Sequence, residues 1–185
     1  MYAFHFTFGD QPAVCELAAA CQARLAGLPG LDPVPAQWLH LTVQDVGFTD
    51  EVADRDVAAV AEAARARLAS LGPARVTVGP ADAVTESVVL RVGPVAGLVA
   101  IRASLRMAIS DVIPLTSLIG PAQFWPHISV AYSSAMLPAA PYEAALAGHT
   151  ATAEVLLDTV RLIVLGRDHH QYEWTTRETI SLRGT

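Results

Sequence analysis

The chain has 185 residues, of which 52 % are apolar and only 16 % charged; that is material for one buried core, or two small lobes sharing one, and excludes disorder. A net charge of −6 argues against long duplex nucleic acid, which needs a basic face. All twelve basic residues are arginine, which excludes a lysine adenylate, a lysine Schiff base and a P-loop lysine.

Residues 2–8 alternate, with Tyr2, Phe4, Phe6 and Phe8 on one face and Ala3, His5 and Thr7 on the other, which predicts a half-buried strand. Asp10 is a predicted cap, with Pro12 in the first turn, for a helix over 11–27 that ends near Gly27 and the Pro29-Gly30 turn. Leu31 to Pro35 reads as a loop and Trp38 to Val46 as a second strand. An Ala-rich helix follows from Asp50 to Leu71, stopped by Gly72-Pro73. Val76 to Val78 and Ser87 to Val92 are predicted strands, and Pro94 to Val112 a helix with Leu98, Ile101, Leu105 and Ile109 on one stripe. Pro114 to Pro121 is a predicted loop, Phe124 to Tyr132 a strand and Pro141 to Ala147 a short helix. Thr150 to Leu156, Val160 to Leu165 and Tyr172 to Leu182 read as closing strands. No linker separates independent domains, so residues 1–185 are expected to form one α+β domain.

No apolar run approaches the roughly 18–20 residues of a membrane span, and the N-terminus lacks the marks of a signal peptide. Cys15 and Cys21 share one predicted helix, where a rise of about 1.5 Å per residue puts them roughly 9 Å apart, too far to bridge. Reduced cysteines point to the cytoplasm. No Cys/His cluster has zinc-site spacing, so no metal or other cofactor is expected.

The chemistry sits in a weak internal repeat: a helix, a loop and a strand carrying His-x-Thr/Ser-x occur twice. Alternate strand side chains point the same way, so His40, Thr42 and Gln44 are predicted to share one face, and His127 and Ser129 another. Two lobes facing across a cleft would then join two imidazoles and two hydroxyls. Displacement at phosphorus needs a base for the nucleophile and an acid for the leaving oxygen, and two histidines with a pKa near ~6.5 can divide those roles without a metal. The hydroxyls can donate to non-bridging phosphate oxygens.

LHLTVQDVGFTDE and FWPHISVAY resemble the two motifs of the two-histidine (2H) phosphoesterases, in particular the bacterial 2′-5′ RNA ligase / RNA 2′,3′-cyclic phosphodiesterase family. The resemblance covers nearly the whole chain. It implies a bilobal α+β fold, two pseudo-symmetric antiparallel-sheet lobes with outer helices around a central cleft, and a catalytic set of His40, Thr42, His127 and Ser129. By it, His40 would protonate the leaving ribose oxygen and His127 would activate water, with roles that exchange with substrate orientation. RNA-acting members usually carry a basic or aromatic residue soon after the first motif, where this chain has Gln44-Asp45, and often end the second with Arg, where it has Tyr132. Both changes remove positive charge, and weigh against RNA as substrate more than against phosphoesterase chemistry.

The expected substrate is therefore a small nucleotide or RNA terminus bearing a 2′,3′-cyclic or related phosphodiester. A 2′-5′ ligation would be that chemistry reversed. The alternatives are another small cyclic phosphate, or a nucleotide-binding module without turnover. His5, Arg91, Phe124 and Tyr132 are the candidate substrate contacts, and Trp125 and Trp174 are further stacking candidates. Arg102 and Arg106, one helical turn apart, read as a basic patch or a solvated face, and His169-His170 as a turn. The protein is expected to act as a monomer.

Overall fold

The computed structural model describes residues 1–113, 123–167 and 171–183. The predicted loop at 114–121 and the His169-His170 turn lie outside the described residues.

The chain runs β1 (Tyr2–Thr7), α1 (Pro12–Leu25), β2 (Leu31–Pro33), β3 (His40–Gly47), α2 (Asp54–Leu68), β4 (Ala74–Val84) and β5 (Ser87–Gly93). It continues through α3 (Ala96–Ser110), β6 (His127–Ser133), α4 (Ala140–Leu146), β7 (Ala153–Leu157), β8 (Thr159–Gly166) and β9 (Glu173–Ser181). The strands make two antiparallel sheets, ordered β3-β1-β8-β9 and β2-β6-β5-β4-β7. Helices α2 and α3 pack on the first sheet, and α1 and α4 on the second. Helix α1 follows a first-sheet strand yet covers the second sheet, and α3 does the reverse. The chain thus crosses between lobes repeatedly.

Phe4, Phe6 and Phe8 are sealed in the core, where each aromatic ring contributes about 1.5–3 kcal/mol by leaving water. The other face of β1 is buried as well, because the strand runs between β3 and β8. The half-buried expectation fails there, and His5 is 0 % exposed. Helix α1 is not capped by Asp10: Gln11 holds the cap position without a side-chain bond, and Asp10 pairs with Arg161 at 3.4 Å. Gly27 ends that helix region at φ +84, a conformation that glycine adopts without strain. Helix α2 begins later than expected, because residues 48–52 form a separate turn in which Phe48 O accepts from Glu51 and Val52 N–H. Leu31–Pro33 is a short strand on β6 rather than a loop. Strand β4 runs on through Gly79-Pro80 by taking one extra residue against β5, so the hairpin turn comes only at Thr85-Glu86.

Candidate active site

In both motif strands the ladder slips by one residue just after the hydroxyl. On the first sheet His5 faces Thr42 and Phe4 faces Gln44, which leaves Val43 as the extra residue of a bulge. On the second sheet Val89 faces Ser129 and Val88 faces Ala131, which leaves Val130 extra. A one-residue slip flips every later side chain to the other face. Val43 and Gln44 are therefore both buried, as are Val130 and Ala131. Asp45 and Tyr132 turn towards the cleft in their place. The expectation that Gln44 shares a face with His40 and Thr42 is corrected by this bulge.

Gln44 has a different task. Its Oε1 accepts from Arg102 Nε at 3.1 Å and from Arg106 Nη1 at 3.2 Å, which ties β3 to α3. Arg102 is itself buried, with its guanidinium 5.0 Å from the centre of the Phe124 ring. The two arginines are thus part of the packing rather than a solvated face.

His40, Thr42, His127 and Ser129 all line one cleft of about 780 Å³ between the two sheets. His40 Nδ1 donates to the carbonyl of Trp38 at 2.8 Å, and His127 Nδ1 to that of Trp125 at 2.9 Å. A carbonyl only accepts, so each ring carries its proton on Nδ1 and leaves Nε2 to the cleft. The surroundings of the two rings differ. His40 is packed face-on against His5, with ring centroids 4.6 Å apart and 3° between planes, and makes a T-shaped contact with Trp174 at 5.2 Å between centroids. This burial, reinforced by the nearby His127, lowers its pKa below the ordinary value; the bond to Trp38 opposes the shift. His127 has Trp125 tilted against it, with ring centroids 4.5 Å apart.

The four other expected contacts separate. Tyr132 lines the cleft, 5.4 Å from Tyr172, and burial pushes its phenol up to about 12, so it stays protonated and can donate. Phe124 lies in a second recess of about 370 Å³, bordered by Arg102 and Trp125, that joins the cleft through Thr42, Asp45 and His127. His5 lies wholly beneath His40 and cannot touch a substrate. Arg91, though opposite His127 in the ladder, is exposed and ion-paired with Asp82; it does not line the cleft. Trp174 makes T-shaped contacts with His5, His40 and Trp38 and is a wall of the His40 pocket rather than a free stacking platform. Asp45, Arg167 and Tyr172 also line the cleft, and sequence reasoning did not single them out as contacts. Asp45 needed knowledge of the bulge, and Arg167 and Tyr172 arrive on the β8–β9 connection from far along the chain. The Asp45 carboxyl is raised by burial, an effect that Arg102 partly offsets.

Both cysteines are free thiols, with Cys21 fully buried. No group of three His, Cys, Asp or Glu side chains among the described residues could hold a metal ion. No helix among them is long and apolar enough to cross a membrane.

Comparison with solved structures returns the same architecture. TT0787 of Thermus thermophilus superimposes with a TM-score of 0.75 at 20 % identity, covering 100 % of this chain and 99 % of that one. Apo LigT of E. coli gives 0.71 at 18 % identity, over 98 % of this chain and 96 % of its own. The MHV ns2 PDE domain gives 0.61 at 12 % identity, over 89 % of this chain and 98 % of its own. No curated protein matches the chain. The family model of the 2′-5′ RNA ligase superfamily matches residues 10–169, most of the chain and both motifs; the protein belongs to that superfamily.

Proposed function

We propose that this protein hydrolyses a 2′,3′-cyclic or related phosphodiester of a nucleotide or RNA end, with its two histidines as base and acid. The observation that carries the proposal is the shared cleft: two imidazoles whose Nδ1 atoms are engaged by backbone carbonyls, each with a hydroxyl two residues on. The unprotonated Nε2 of one ring takes a proton from water as its oxygen bonds to phosphorus. The other ring, protonated, gives its proton to the ribose oxygen as the P–O bond breaks, and a phosphomonoester results. Thr42 and Ser129 donate to the non-bridging oxygens, where charge is held during displacement. Two positioned proton-transfer groups supply the whole acid–base requirement without a metal.

Resemblance casts His40 as the acid. Its environment argues the other way: burial keeps the ring neutral at pH 7, which suits it to begin as the base and leaves His127 as the acid. E. coli LigT has been crystallised with 3′-AMP and with phosphate. Opening a 2′,3′-cyclic nucleotide yields a nucleoside monophosphate of that kind, which supports this substrate class. Asp45 and Tyr132 bring no positive charge to the cleft, which favours a small cyclic nucleotide over an RNA terminus. Both histidines come from one chain, so the proposed site needs no second copy.

The test is to incubate the purified protein, with chelator, with the four nucleoside 2′,3′-cyclic phosphates and with a short RNA ending in one. Turnover of the mononucleotides, faster than of the RNA, is expected. No turnover of any of them overturns the proposal.

A further inference from the structure

A third histidine lies under the site and touches half of it. His5 stands opposite Thr42 in the β1–β3 ladder, and its Nε2 is 3.1 Å from Thr42 Oγ1. The ring is wholly buried, stacked on His40, and makes a T-shaped contact with Trp174 at 6.1 Å between ring centroids. Its Nδ1 has no partner in the structure. Arg161 faces it from β8, and Arg161 is paired with Asp10.

These facts fix which way the hydrogen bond runs. A neutral imidazole has one N–H. With that proton on Nδ1, a buried donor would be orphaned, which is rarer and costlier than a bare acceptor nitrogen. With it on Nε2, the donor meets Thr42 Oγ1 and nothing buried is left to give. Thr42 Oγ1 then accepts from His5, and its own proton is free to be given elsewhere. The residue is exposed on the cleft side, beside His40.

We propose that His5 is a positioning residue: its Nε2–H donates to Thr42 Oγ1 and so commits the Thr42 hydroxyl proton to a phosphate oxygen in the cleft. The same ring backs His40 face-on, so one buried side chain orders both the base and the adjacent phosphate donor. The device is one-sided, because Val89 holds the corresponding place opposite Ser129. The proposal rests on the phosphoesterase function above.

Two measurements test it. In the first, His5→Phe keeps a flat ring and removes the donor, and Thr42→Val removes its acceptor. Each is expected to lower kcat about 10- to 100-fold with KM nearly unchanged, because the bond acts on charge that develops in the transition state. The double variant is expected to be no worse than the poorer single one, and His5→Gln, which retains an N–H, to recover part of the loss. Multiplying losses, or an unchanged His5→Phe enzyme that melts normally, overturns the proposal. In the second, long-range proton–nitrogen spectra of the free protein are expected to show His5 as the Nε2–H tautomer, unchanged between about pH 5.5 and 8. A His5 that carries its proton on Nδ1, or that titrates near ~6.5, also overturns it. The spectrum needs no turnover, so an inactive wild type would sink the function while the spectrum still decides the hydrogen bond.

Discussion

Strands β3 and β6 perform the same construction in different settings. Each begins with a histidine held at Nδ1 by the carbonyl two residues back, places a hydroxyl two residues on, and then bulges. Strand β3 is the edge of its sheet, and its one neighbour β1 supplies His5; β6 lies inside its sheet, and its neighbour β5 supplies Val89. His40 is therefore walled in by imidazole and indole, while His127 has one tilted indole against it. The lesson is that a symmetric pair of motifs is given unequal settings by the strands beside it. Burial of the His40 ring favours its neutral form, which is the form a base needs.

The largest test of that asymmetry removes each ring in turn. His40→Ala and His127→Ala are each expected to lose about 10²–10⁴ in kcat. They should differ in pH profile: the first loses the acid limb of kcat/KM, the second the alkaline limb. In the wild type the acid limb should lie below about pH 6.5, since a base of lowered pKa stays neutral to lower pH. Limbs lost in the opposite order would reverse the assignment.

Next come the hydroxyls. Thr42→Val is expected to cost about 10²-fold in kcat, in the range of a lost oxyanion donor. Ser129→Ala should cost about tenfold, because the protonated Tyr132 phenol beside it can still donate. Equal losses would show that the surroundings of the two hydroxyls do not matter.

Stability should carry the same signature. Burial lowers the pKa of His5 and, less strongly, of His40 in the folded protein. Below the unfolded value near ~6.5 the unfolded chain takes up protons that the folded one refuses, so stability falls as pH falls, by up to about 1.4 kcal/mol per pH unit for each such ring. Thermal melts at pH 7 and pH 5 should therefore diverge, and His5→Phe should narrow the gap. A gap unchanged in His5→Phe would show that His5 is not held neutral. The smallest effect is expected from Tyr132→Phe, a few-fold in kcat/KM for one lost hydroxyl.

The α+β class and the gathering of His40, Thr42, His127 and Ser129 at one cleft were legible because they depend on local pattern: alternation around His40 and His127, and helical stripes such as Leu98 to Ile109. Most of what was misjudged depended on partners on another element. His5 looked accessible because nothing in MYAFHFTFGD says that β1 will lie between two strands. Gln44 looked like a cleft residue because a bulge depends on the neighbouring strand, and Val43 carries no mark of one. Arg91 looked available because Asp82 sits across a hairpin whose register alternation alone does not specify. Arg102 and Arg106 read as a basic patch or a solvated face because their acceptor, Gln44, is on another element.

The slipped ladder has a consequence for how this cleft can change. An unbroken strand would present residues i, i+2 and i+4 to the substrate, and each would have core residues as immediate neighbours on either side. Here the exposed positions are i, i+2 and i+5, about 16 Å end to end, with two buried residues between the second and third. That pair anchors the strand by itself. The fifth position, Asp45 in one lobe and Tyr132 in the other, lines the cleft and stands outside the proposed acid–base pair. A carboxylate, a phenol or a cation can be exchanged there while the acid–base pair stays in place, so the cleft can be retuned to a new substrate by changing one residue in each half.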